Sequence, residues 1–214
     1  GSDLDERTLV APGVDGAGLD GRLALAREFR LLSSLHHPNV IRVLDYGFEE
    51  GLPFYTMELL SAPRTVLEAA RGRSVEEKAG LLVQMLQALA YLHRRGVMHR
   101  DVKPSNALVE ADPSTGDGAE NGQGDRVKLL DFGISELRGQ STEARVVAGT
   151  PSYMALELLR GKPASESADL FAVGVVAYQM LAGGLPFEAE SLSERIAAME
   201  GGAPGDLEDR ATVE

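Results

Sequence analysis

The chain has 214 residues, 43% hydrophobic and 25% charged, with 33 acidic against 21 basic side chains and no cysteine. That length supports one sizeable core or two small lobes, and the missing cysteines exclude a disulfide framework or a thiolate metal site. The net charge of −12 argues against nucleic acid as a partner, because such binding rests on positive side chains displacing counterions.

Thr8 to Ala11 has β character, broken by Pro12-Gly13 and followed by a loop holding Gly16, Gly18 and Gly21. Leu25, Phe29 and Leu32 recur at helical spacing and predict a helix from Leu23 to Leu35. Pro38 stops it by disfavouring helical geometry at His37. Val40 to Leu44 and Pro53 to Leu60 read as short strands, with a turn between Gly47 and Gly51. Ser74 and Glu77 have the spacing of a capping box. The helix behind them places Leu81, Leu82, Met85, Leu86, Leu89 and Leu92 on one face, and Gly96 closes it. A polar loop follows, flanked by Val97-Met98 and Ala107-Leu108-Val109. Residues 111–125 are rich in glycine and acid with little to bury, which predicts an extended connection. Val127 to Leu130 is again a strand.

Leu170 to Phe187 is long and apolar, but Gln179, Gly183, Gly184 and Pro186 interrupt it. It reads as a buried helix rather than a membrane span. No charged n-region with an apolar core follows Gly1-Ser2, so no signal peptide is expected. The expected location is cytoplasmic. The order of elements predicts an α+β small lobe feeding a mainly helical large lobe.

His99-Arg100-Asp101-Val102-Lys103-Pro104-Ser105-Asn106 and, after a strand, Asp131-Phe132-Gly133 resemble the catalytic and metal-binding loops of eukaryotic-type Ser/Thr protein kinases. Gly149 to Glu157 resembles the end of that family's activation segment, and Asp169 to Gly174 the start of its buried helix. Upstream, Glu28-Phe29 and His37-Pro38-Asn39-Val40 resemble its regulatory helix and the strand after it. The Arg-, Ala- and Gly-rich usage, with the Gly149-Thr150-Pro151-Ser152-Tyr153-Met154-Ala155 run, looks more bacterial than animal. The resemblance implies a protein-kinase-like, two-lobe α+β fold, with a partial small lobe over residues 1–60 and an incomplete, mainly helical large lobe over 61–214. It implies transfer of the ATP γ-phosphate to Ser or Thr of a protein substrate, with Mg²⁺ as cofactor. Asp101 would accept the hydroxyl proton and Lys103 would donate to the moving phosphate. Asn106 and Asp131 would hold Mg²⁺. Met57, Glu58 and Leu60 would line the adenine hinge, with Leu108 under the ring, and Glu28 would pair with the lysine that anchors ATP. Asp169 would hydrogen-bond the backbone of the catalytic loop. Ser141 and Thr142 are the expected regulatory phosphorylation sites, with Arg100 as the pairing cation.

The ends depart from the family. No lysine precedes Lys78, and Gly13 stands in the anchoring slot. Gly16-Ala17-Gly18-Leu19-Asp20-Gly21 has a phosphate-loop spelling but lacks the strands such a loop needs, so it reads as an ordinary loop. Leu156 replaces the family's usual proline, and neither Arg195 nor Arg210 sits in the context that would pair Glu157. The expectation is a fragment, a truncated product or a degenerate kinase, with further domains in a longer parent. The alternative function is a pseudokinase-like binding or scaffold module.

Overall fold

The computed structural model describes residues 9–10, 29, 32–49, 52–111, 124–132 and 151–202. Strands β1 (Leu9–Val10), β2 (Val43–Glu49) and β3 (Leu52–Met57) form an antiparallel sheet in the order β1-β3-β2. The turn expected to begin at Gly47 lies later, because Gly47 is inside β2 opposite Phe54. A Cβ at Gly47 would sit 2.6 Å from Phe54 Cζ, so glycine here serves the close approach of a ring rather than a turn. Val40, expected in a strand, instead makes an isolated parallel bridge to Leu129. Phe29, Leu32 and Ser33 are helical, as the sequence predicts, with a turn at Ser34 before Pro38 is reached. Phe29 stacks on Tyr46 of β2 at 4.0 Å between ring centroids.

A second antiparallel sheet joins β4 (Arg64–Thr65), β5 (Ala107–Ala111) and β6 (Asp125–Leu129) in that order. Thr65 ends β4 and caps α1 (Val66–Ala70), exchanging hydrogen bonds with Glu68 in a capping box that the sequence spells but that was not expected. The predicted Ser74–Glu77 box does start the long helix α2 (Val75–His93). Its buried stripe is Leu81, Met85, Ala88, Leu89 and Leu92. Leu86 does not belong to it and is 40% exposed, since a residue one step from Met85 is turned well off a stripe of helical period. Gly96 takes φ 72 just past the helix, and its N–H donates to His93 O at 2.8 Å.

Helices α3 (Leu156–Leu159), α4 (Glu166–Ala182) and α5 (Leu192–Glu200) complete the described chain. The apolar run from Leu170 is the buried helix α4, ended by Gly183 at φ 77. No helix among the described residues is long and apolar enough to cross a membrane.

One core runs through the molecule. Leu32, Leu35, Val43 and Tyr55 belong to it together with Met85, Leu89, Phe132 and Val176. The stretch leading into β2 is tied to β6: Ile41 N–H donates to Leu129 O, and Leu129 N–H to Asn39 O, each at 2.9 Å. Asn39 Nδ2 donates to Val127 O at 2.9 Å and to Gln84 Oε1 at 2.8 Å. Gln84 Oε1 in turn accepts from Val127 N–H at 2.9 Å. Sheet, helix and linker are thus held by a satisfied polar network inside a largely apolar interior.

Candidate active site

The β5–β6 ladder runs in register from Ala107↔Leu129 to Ala111↔Asp125. Antiparallel pairing therefore brings the residue before β5 and the residues after β6 to the same end. There, Leu130 N–H donates to Asn106 O at 2.9 Å. Asn106 and Asp131, far apart in sequence, become neighbours through this geometry.

Asn106 closes a short 3-10 turn, Pro104–Asn106. Its Nδ2 donates to Asp101 O at 2.8 Å and to Asp101 Oδ2 at 3.0 Å. Lys103 Nζ lies 2.8 Å from the same Oδ2. Asp101 Oδ1 is buried and has no hydrogen-bond partner among the described residues. One oxygen of this carboxylate is fixed by an amide and an ammonium, and the other is left as an open acceptor. A buried acceptor without a partner costs roughly 1–3 kcal/mol, a cost that structural sites avoid.

Backbone strain concentrates at the same place. Arg100 has φ 68 and Asp131 has φ 60, which with Ala62 are the positive-φ residues other than glycine among those described. Left-handed backbone at such residues persists only where the surroundings impose it. Around Arg100 the agent is Asp169 of α4. Its Oδ2 accepts from His99 N–H and its Oδ1 from Arg100 N–H, each at 2.8 Å, as the sequence predicts. His93 Nε2, which the sequence did not single out, sits 2.8 Å from Asp169 Oδ2.

His99 is fully buried, and Phe132 packs edge-on against it with centroids 6.2 Å apart. Burial pushes the His99 pKa down, partly opposed by the carboxylates of Asp169, Asp101 and Asp131. A neutral ring with Nδ1 accepting from Asp101 N–H at 3.4 Å suits that position. On the other side of the loop, Tyr55 of β3 donates its hydroxyl to Asp131 Oδ1 at 3.1 Å.

Met57 ends β3 and leads into Glu58 and Leu60. The Glu58 side chain turns inward, accepting from Lys128 Nζ at 2.6 Å and from Arg42 N–H at 3.0 Å. Its carboxylate is thereby engaged by protein, so any adenine contact at this residue falls to the backbone. Leu108 pairs with Lys128 across the ladder and shares its face, which puts Leu108 on the side of the sheet that faces Glu58. Glu28, Gly133, Ser141 and Thr142 lie outside the described residues.

The segment from Pro151 onward borders the catalytic loop. Arg100, Asp101, Tyr153, Met154, Leu158 and Ala172 help line a cleft of about 250 Å³, counting space open to solvent. Next to Tyr153 in the chain, Ser152 O accepts from Arg195 of α5, which is buried and also donates to Phe187 O at 2.6 Å. Arg195 is therefore used on backbone carbonyls, consistent with its unsuitability as a partner for Glu157.

The donors fit Mg²⁺. Asn106 spends both side-chain bonds through Nδ2, leaving its oxygen for a cation, and the bond from Tyr55 to Asp131 falls on Oδ1 rather than Oδ2. No group of three or more His, Cys, Asp or Glu placed to hold a metal ion occurs among the described residues. A site of one carboxylate and one amide suits a hard cation that keeps waters and takes further ligands from substrate phosphates.

Comparison with known proteins gives the same picture. The family profile described as "Protein kinase domain" matches residues 19–203. Serine/threonine-protein kinase pkn3 of Myxococcus xanthus is 38% identical over 174 residues, covering 77% of this chain and 30% of that protein. Serine/threonine-protein kinase Pkn1 of the same organism is 34% identical over 174 residues, covering 80% and 24%. An Aurora kinase of Eremothecium gossypii is 34% identical over 168 residues, covering 77% and 42%. The chain thus spans less than half the length of each of these relatives. With the profile matched over most of its length and the two loops joined as the geometry requires, the chain belongs to the protein kinase family.

Proposed function

We propose that this site transfers the γ-phosphate of ATP to Ser or Thr hydroxyls of a protein substrate. The observation that carries the reading is the asymmetry of Asp101: Oδ2 is held by Asn106 and Lys103, while Oδ1 is buried with no hydrogen-bond partner among the described residues. A substrate hydroxyl hydrogen-bonded to Oδ1 is oriented for attack. As its oxygen bonds to the γ-phosphorus, the bond to the bridging oxygen breaks, ADP leaves, and the hydroxyl proton passes to Asp101. Lys103 moves its ammonium toward the transferring phosphate, where charge builds up. Asn106 and Asp131 would hold Mg²⁺, which would supply charge neutralisation at the phosphates.

Met57, the Glu58 backbone, Leu60 and Leu108 take the adenine, and Glu28 belongs to the phosphate side. Phosphoryl transfer is mostly positioning and electrostatics, so the lack of any lysine before Lys78 makes transfer slow in this chain. The two sheets, one on each side of residue 60 in the chain, support a lobe boundary there. The cytoplasm, where ATP is abundant, is the place of action, and the longer relatives of this chain support further domains in a parent protein.

The test is a single-turnover assay with labelled ATP, Mg²⁺ and excess enzyme over a mixed protein substrate. Slow label on Ser and Thr, lost in Asp101→Asn, is expected. Label on tyrosine alone, or label indifferent to Asp101→Asn, refutes the assignment.

A further inference from the structure

The hydroxyl of Tyr55 donates to Asp131 Oδ1 at 3.1 Å. We propose that Tyr55 is a positioning residue for the metal-holding carboxylate: it pins Oδ1 and so presents Oδ2 to the cation. This rests on the reading of Asp131 as a Mg²⁺ ligand.

Three features support it. First, the carboxylate torsion of an aspartate is broad, so packing alone does not choose the angle at which the carboxylate meets the metal. A directed donor does choose. Since a carboxylate only accepts, the phenol must donate. Second, the donor is carried by a rigid element. Tyr55 is buried and lies on β3, the middle strand, paired on one side with Leu9 and on the other with Tyr46. The backbone of Asp131 is fixed too, by the Leu130 bond to Asn106 O before it and fully buried Phe132 after it. Functional groups hold their geometry when rigid elements and outer hydrogen bonds support them. Third, the donor is neutral. An ammonium at this distance would cancel much of the carboxylate's charge, whereas a phenol orients Asp131 and leaves its attraction for a dication. The first 77 residues contain no lysine that would supply such an ammonium.

The experiment titrates ATP into the chain by calorimetry at a series of Mg²⁺ concentrations, for the unmodified protein, Tyr55→Phe and Asp131→Asn. Loss of an outer hydrogen bond to a metal ligand weakens metal binding about tenfold. The Mg²⁺ needed for half-maximal ATP binding is therefore expected to rise by about that factor in Tyr55→Phe. ATP binding without metal, and the melting temperature without metal, should move little. A merely structural tyrosine would lower melting temperature and ATP affinity alike at every Mg²⁺ concentration, and that result overturns the proposal. So does an unchanged Mg²⁺ requirement in Tyr55→Phe while Asp131→Asn loses binding, an outcome that leaves Asp131 as the ligand. No Mg²⁺ dependence in the unmodified chain overturns the metal reading itself. Should Tyr55→Phe fail to fold, the tyrosine ultraviolet difference spectrum of the unmodified chain reads the same contact. A band shift on adding Mg²⁺ with ATP, absent in Asp131→Asn, is expected, and an unmoved band refutes the proposal.

Discussion

Lys128 Nζ stands 2.6 Å from Glu58 Oε1, joining the second sheet to the segment that leaves the first. The lysine side chain is 8% exposed and the glutamate 30%, so the pair is only partly solvated. Removing one partner strands the other charge, and the lysine is the more deeply placed. Glu58→Ala should therefore destabilise the chain by about 2 kcal/mol in urea unfolding, between the surface and fully buried limits. Glu58→Gln, which keeps an acceptor for Lys128 and Arg42 N–H, should lose less. Equal losses would mean that the contact works by packing alone.

Asp169 offers a stronger case. Its two oxygens serve two backbone amides and the His93 ring, all at 2.8 Å, in a buried setting. Asp169→Ala should cost roughly 3 kcal/mol or more, since it orphans buried donors. Asp169→Asn keeps one good acceptor and should fall between. Urea midpoints of the three proteins check the order, and an Asp169→Ala protein as stable as the unmodified chain would contradict it.

Acid should weaken the fold through its histidines. Burial lowers the His99 pKa from its ordinary 6.5, and burial, with Lys128 and Arg94 nearby, lowers that of His37. Just below 6.5 the unfolded chain binds more protons than the folded one, so stability there rises with pH. The contribution is complete above 6.5 and is lost as pH falls toward the lowered folded value. Melting temperatures taken at about pH 7.5 and about pH 5.5 should drop on acidification, and less steeply in His99→Phe. Identical slopes in the two proteins would show that folded His99 takes up its proton normally.

Gly47 predicts a small and reversible defect. An added Cβ would meet the tip of the Phe54 ring at 2.6 Å. That ring is only partly buried and able to move, so Gly47→Ala should cost about 1 kcal/mol, at the low end for overpacking. Phe54→Leu should remove most of the penalty when combined with it. A double variant showing plain additivity would place the strain elsewhere.

The gathering of Asp101, Lys103, Asn106 and Asp131 at one place was legible because they come in contiguous runs. Asp101, Lys103 and Asn106 share one loop, and the strand before Asp131 announces where the ladder puts it. The α+β order and the capping box at Ser74 follow from local pattern and were equally readable. Partnerships set by packing were not. Tyr55 and Asp131 are separated by 76 residues, as are His93 and Asp169, and nothing local marks either pair. Gly47 misled because a glycine between strands signals a turn, whereas the ring that requires it lies on the opposite strand. Leu86 misled because leucine content was read as a face, while helical angle excludes it.

The β5–β6 ladder separates two kinds of tolerance to change. The site lies beyond the Ala107↔Leu129 end, and the connection from residue 112 to 123 leaves from the Ala111↔Asp125 end. Lengthening a connection adds closure entropy only slowly, so an insertion there, even of a reporter sequence, should leave Asn106 and Asp131 together. Deleting one residue inside β6 is different in kind, because it exchanges the faces of every side chain that follows. Buried Val127 and Leu129 would trade places with their neighbours, and Asp131 would move one step out of reach of Asn106.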